Sequence, residues 1–167
     1  TPKQVVQDSK ISILEVSPHN ASTAYIAVDR HKTDDYTPYI YKTANYGKSW
    51  KLLTTGGNGI PNGTFVRAVR EDTVRPGLLF AGAETGVYVS FDDGQQWQPL
   101  QLNLPVTPIH DLVIKNDDLV VGTHGRSFWI LDNITALRQL NDAVVKSEVH
   151  LYQPPVAYRT EIGRAHV

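Results

Sequence analysis

The chain has no cysteine and no methionine in its 167 residues. The first absence excludes a disulfide framework and a thiolate metal site. Histidines 19, 31, 110, 124 and 150 show no paired short spacing, so no histidine-based metal motif is expected either. The acidic pairs Asp34–Asp35, Asp92–Asp93 and Asp117–Asp118 lack the calcium-loop pattern. Neither a phosphate loop nor a nucleophile elbow occurs. Apolar runs fall far short of a membrane span. Charge of one sign is missing too: the net charge is −1 with 20% charged residues, and no block of like charge exceeds two or three residues. That balance gives no nucleic-acid footprint and no polyacidic tail. No cofactor, metal, nucleic acid or membrane span is therefore expected for this stretch.

Lack of methionine has a second meaning. The chain starts at Thr1 with no leader pattern, so its natural N-terminus is expected to lie upstream. The last seven residues, Glu161–Val167 (EIGRAHV), resemble the translation of a short sequencing adapter and are set aside as an expected artefact.

What is present is a repeat. TANYGKSW (Thr43–Trp50) and SFDDGQQW (Ser90–Trp97) both read Ser/Thr, any residue, Asp/Asn, any residue, Gly, two residues, Trp. The offset between them is 47 (97 minus 50). A period of roughly 40–50 residues with an aromatic signature is the mark of propeller blades. Overlaying the repeats gives three units. First strands are expected at Ile11–Val16, Phe65–Arg70 and Ile109–Lys115, and second strands at Ala24–Val28, Leu78–Ala81 and Leu119–Val121. Third strands are expected at Tyr39–Thr43, Gly86–Ser90 and Ser127–Leu131, and fourth strands from Trp50 and Trp97. The third unit lacks the box. Ile134–Leu140 reads there as a short helix capped by Asn133, with a last strand at Glu148–Tyr152.

The expected fold is all-β: a partial propeller of about three four-stranded antiparallel blades, with a short helix near 134–140. Blades would occupy about 1–60, 61–104 and 105–152, and residues 153–160 would link to a downstream domain. Three blades cannot close a ring, which needs roughly four to eight, so further blades are expected upstream.

In each box the Asx side chain is suited to collect backbone N–H groups across a tight turn. Thr43, Asn45, Gly47, Trp50 and Ser90, Asp92, Gly94, Trp97 are therefore assigned structural roles, with both tryptophans packing inward. These boxes resemble the Asp-box or BNR repeat of bacterial sialidases, sortilin-type receptors and xyloglucanases. The likeness extends through Asp29–Thr43 (DRHKTDDYTPYIYKT), Leu78–Gly94 (LLFAGAETGVYVSFDDG) and Asp118–Leu140 (DLVVGTHGRSFWILDNITALRQL). These resemble a family of large exported bacterial proteins with BNR-like, WD40/YVTN-like or sortilin-like propellers. The resemblance implies closing blades of a long propeller, an extracellular or periplasmic location, and box turns remote from any active site.

Strand alternation puts the loops after second strands, and the entries to first strands, on the face opposite the boxes. Arg30, His31, Asp34, Asp35, Arg67, Glu84, His110, His124 and Arg126 are expected there as a ligand-binding face. Loop polarity alone explains any single one of them. Glu84 and Arg126 are a possible pair between blades, and Asp111 a possible bond to a neighbouring turn. Glycoside hydrolysis needs two carboxylates about 5–5.5 Å or 6.5–9.5 Å apart. Asp29, Asp34, Asp35 and Glu84 are the acids available, with Asp35 and Glu84 as the weak catalytic candidates. A sialidase-type arrangement would draw on Arg30, Arg67, Arg126 and Tyr36. The expected function is a protein- or glycan-binding scaffold module, the alternative a glycoside hydrolase of sialidase or xyloglucanase type.

Overall fold

The computed structural model describes residue 3 and residues 5–156. The segment 161–167, and residues 157–160 of the expected linker, lie outside the described residues. Three antiparallel meanders follow one another along the chain. The first comprises β1 (Lys10–Val16), β2 (Ala24–Arg30), β3 (Asp35–Thr43) and β4 (Lys51–Leu52). The second comprises β5 (Val66–Glu71), β6 (Leu79–Ala83), β7 (Val87–Ser90) and β8 (Gln98–Pro99). The third has three strands, β9 (Ile109–Lys115), β10 (Asp118–Thr123) and β11 (Phe128–Leu131). Each sheet is hydrogen-bonded in sequence order, so every connection is a local turn. The first strands face one another: β5 lies against both β1 and β9. This is the arrangement expected of adjacent blades.

Two expectations change at the C-terminal end. Glu148–Tyr152 is not a strand: Val149 and Leu151 are 89% and 92% exposed, and no ladder partner lies beside them among the described residues. An alternating pattern becomes a strand only where a neighbouring edge pairs with it. The helix is present as α1 (Thr135–Gln139), with Asn133 Oδ1 accepting the Thr135 N–H at 3.1 Å. A second helix, α2 (Asp142–Lys146), was not expected; Asn141 caps it by accepting from the Ala143 and Val144 N–H groups.

The core lies between sheets. Tyr25, Ile40, Leu53, Ile60, Val69, Leu79 and Trp97 fill the first interface. Phe80, Val89, Ile109, Leu112, Leu119 and Ile134 fill the second. Sheet-to-sheet approach is close at Gly82, where a Cβ would come within 2.7 Å of Ile109 Cγ2.

The box turns are built as their residue types require. Asp92 Oδ1 accepts from Ser90 Oγ at 2.8 Å and from the Gln95 and Gln96 N–H groups at 3.0 and 2.9 Å. The Gly94 N–H returns to Ser90 Oγ at 2.9 Å. Asn45 does the same with Thr43 and Ser49, and the Gly47 N–H reaches Thr43 Oγ1 at 3.0 Å. Trp97 is 3% exposed against Leu53 and Ile60. Trp50 is only half-buried, beside Tyr39 and Tyr41 on the open side of the first sheet. Inward packing therefore holds for Trp97 and only in part for Trp50.

The connection from β4 to β5 clamps the second box. Asn58 donates to the Leu53 and Gln95 carbonyls at 2.8 and 3.0 Å, and its own carbonyl accepts the Trp97 N–H at 2.8 Å.

Candidate ligand-binding face

Each first strand carries a β-bulge near its start, at the same place in all three sheets. The ladder steps from Ile11 to Ile13, from Val66 to Ala68, and from Ile109 to Asp111. The extra residues are Ser12, Arg67 and His110. A bulge inserts one residue and re-aims its side chain. In a regular strand Arg67 and Arg70, three apart, would point to opposite faces. In β5 Arg67 and Arg70 are the two half-buried residues, and the other four are buried.

Arg67 anchors the face. Its guanidinium lies 4.3 Å from the centroid of Phe65 and pairs with Glu84 Oε2 at 2.5 Å. The Glu84 N–H donates to the Phe65 carbonyl at 3.1 Å, tying the β6–β7 loop to the entry of β5. His31 stacks on the same Phe65 ring at 4.9 Å. It is held by Asp29, whose Oδ1 accepts the His31 N–H at 3.0 Å and lies 2.6 Å from Nδ1. Tyr36 approaches Phe65 at 6.0 Å. On the third sheet His110 stacks on His124 at 4.8 Å, and the His124 N–H donates to the Pro108 carbonyl at 2.8 Å. Partial burial, the Arg67 charge and His124 hold His110 below the ordinary imidazole range, and Glu84 opposes them. The His31–Phe65–Arg67–Glu84 group thus draws on the first two blades, and the histidine pair on the third.

Other expected members are engaged in bonds of their own. Arg30 Nε pairs with Asp35 Oδ2 at 2.9 Å and Nη1 donates to the Gln7 carbonyl at 2.6 Å. Asp35 also accepts from the Tyr39 hydroxyl at 3.0 Å and the Thr37 N–H at 3.1 Å. Burial alone would raise the Asp35 carboxyl, but bonds from Thr37, Tyr39 and Arg30 outweigh it and lower it. Asp34 closes the short 3-10 turn His31–Thr33 in the left-handed region, with φ of 57°. Arg126 is exposed; its N–H goes to Thr123 Oγ1 and its carbonyl accepts from Trp129, and its side chain bonds to no group among the described residues. Glu84 thus pairs within its own blade, with Arg67, and not with Arg126.

Two contributors escaped sequence reading. Phe65 read as the first residue of a strand, yet it is the platform for His31 and Arg67. Arg70 joins all three first strands: it pairs with Glu15 of β1 at 2.8 Å and Asp111 of β9 at 2.9 Å, and donates to the Leu112 carbonyl at 2.6 Å. The signal available was the charge itself, since an arginine on an innermost strand needs partners. Among the described residues no three histidines or acids gather as a metal-ligand group.

No protein-family model matches the chain, and no curated protein does. Solved structures do. A GH74 enzyme of Niastella koreensis superposes with a TM-score of 0.57 at 14% identity, covering 74% of this chain and 21% of that one. The fold is that of a β-propeller. A GH74 xyloglucanase from Xanthomonas campestris gives 0.54 at 15% identity over 74% of this chain and 22% of its own. YCF48 bound to D1 peptide gives 0.52 at 17% identity, over 78% and 40%. The chain spans about a fifth of each GH74 protein and two fifths of YCF48. At these identities the likeness is one of fold, and one propeller fold hosts unrelated functions. No helix among the described residues is long and apolar enough to cross a membrane.

Proposed function

We propose that these propeller blades are an Asp-box (BNR) binding module that holds a peptide segment of a partner protein on the face formed by His31, Arg67, Glu84, His110 and His124. The observation that carries this is the repeated bulge. Three blades use the same device at the same place, and in two of them the inserted residue, Arg67 or His110, carries a strongly hydrogen-bonding side chain. Such a surface supplies donors and one carboxylate in a row, the chemistry that reads a polypeptide backbone and its polar side chains.

A glycan platform has less support. Sugar recognition calls for an open aromatic face; Phe65 is 3% exposed beneath His31 and Arg67, which leaves Tyr36 as the open ring of this group. The hydrolase alternative asks Asp35 or Glu84 to act as an acid. Asp35 is lowered, away from what a general acid needs, and Glu84 is held in an ion pair. YCF48, a neighbour in fold, was solved with a peptide, which agrees with the binding reading.

The proposal extends to the whole protein. The open side of the first sheet, where Leu14 and Val16 are 58% and 57% exposed, is suited to pack against further blades, and residues 153–160 to lead into a downstream domain. An extracellular or periplasmic location goes with the family resemblance.

The test is a peptide array read with the purified chain, beside a panel of aryl glycosides and polysaccharides. Arg67→Ala and His124→Ala should each weaken peptide capture about tenfold, the value of one charge-assisted hydrogen bond. Glycoside turnover abolished by Glu84→Gln or Asp35→Asn would replace this reading with the hydrolase.

A further inference from the structure

On the opposite, box-bearing face a groove of about 310 Å³ opens between the first and second blades. Ser17, Thr23, Tyr25, Lys42, Glu71 and Asp93 are among the residues that line it. Glu71, at the end of β5, is 4% exposed. Its Oε1 accepts the Gly77 N–H at 3.0 Å, and its Oε2 is buried with no partner among the described residues. Two donors beside it, Tyr25 and Lys42, are committed to another carboxylate. The Tyr25 hydroxyl donates to Asp93 Oδ1 at 2.8 Å, and Lys42 pairs with Asp93 Oδ2. Both the Tyr25 proton and the Lys42 charge thus go to Asp93, and an orphaned buried acceptor is costly.

The next residue in the chain shows how this fold answers the same need. Asp72, fully buried, turns toward the third blade and receives Arg138, whose Nε and Nη2 reach its carboxylate at 2.9–3.1 Å. Arg138 enters from α1, with its side chain 8% exposed, and also pairs with Asp117. Glu71 turns toward the first blade and has no such visitor. The groove above it holds roughly ten water volumes at ~30 Å³ each, far more than a single ion needs.

We propose that this groove receives an arginine side chain presented by a partner protein, its guanidinium paired with Glu71 as Arg138 pairs with Asp72. The site lies on the box face and does not depend on the peptide face described above. The guanidinium matches a carboxylate through two parallel N–H bonds, and its planar fork suits a slot between sheets.

N-acetyl-arginine amide and its neutral isostere N-acetyl-citrulline amide are titrated into the ¹⁵N-labelled chain, following the Gly77 amide, which already bonds to Glu71. The arginine probe should shift Gly77 saturably, and the citrulline probe should bind about tenfold more weakly. Glu71→Gln keeps the acceptor for Gly77, so the chain should fold as before while arginine affinity falls about tenfold. Lys42→Met removes the competing cation and should tighten binding. Equal binding of both probes, unchanged affinity in Glu71→Gln, loss of binding in Lys42→Met, or no saturable shift (an ordered water at Oε2) would each overturn the proposal.

Discussion

Replacing Trp97 by alanine tests how the second box holds two blades together. Its side chain is 3% exposed, enclosed by Leu53 and Ile60 from the preceding blade. Burying an aromatic of 150–250 Å² at ~25 cal/mol/Å² gives about 4–6 kcal/mol as an upper bound. Compact unfolded chains lower that figure, so about 3–5 kcal/mol is expected for Trp97→Ala. Trp50 provides an internal control. It has the same box, yet it is half-buried and its indole N–H bonds to the Gly47 carbonyl at 3.2 Å. Trp50→Ala should cost roughly half as much, about 1.5–2.5 kcal/mol. A third variant separates packing from polarity. The Trp97 indole nitrogen is buried without a partner, so Trp97→Phe loses ring area but also removes an unsatisfied donor. It should recover most of the loss. Urea unfolding followed by far-UV circular dichroism reads all three. Equal losses at Trp50 and Trp97, or a Trp97→Ala midpoint unchanged from the parent, would refute the claim that burial between blades, not the box turn itself, sets the energy.

Other outcomes follow from single contacts. Gly59 has φ of +112°, and a Cβ there would lie 1.8 Å from the Trp97 carbonyl oxygen, so Gly59→Ala should cost about 3 kcal/mol or more by thermal melt. Arg70→Met strands the partly buried Glu15 and Asp111 and should lose about 2–3 kcal/mol; a neutral result would show that the three first strands need no charged link. His110 is depressed in the folded state, so its unfolded form binds a proton first as pH falls. Its stability contribution is complete above about pH 6.5 and declines as pH drops toward the lowered folded value. His110→Gln should flatten that part of the stability–pH curve, and an unchanged slope would place the titration elsewhere.

The meanders were legible because each strand alternates and the boxes repeat. The sequence reading of β9, Ile109–Lys115, matches its observed bounds, since Pro108 before it and Asn116 after it punctuate the run. Glu148–Tyr152 misled for the converse reason: it alternates, but pairing is decided by a neighbour that no local pattern reports. The same limit applies to the candidate face. Strand direction alone assigns His31, Arg67, Glu84, His110 and His124 to one face. The bulges that aim Arg67 and His110 are properties of two strands together, and so is the Phe65 platform. Arg30 and Asp35 read as face residues because they flank a second-strand loop, whereas their ladder position pairs them with each other and with Tyr39.

The Asn58 clamp changes where one blade ends and the next begins. By repeat phase the second unit starts near residue 61, yet Leu53, Asn58 and Ile60 spend their contacts on Gly94, Gln95 and Trp97. A Cβ on Gly94 would meet Leu53 at 2.7 Å, so the fit is mutual. The first blade therefore carries the lid of the second. Grafting or excising the second blade as a module must begin at Leu53, and a cut at the repeat boundary would leave its tryptophan uncovered.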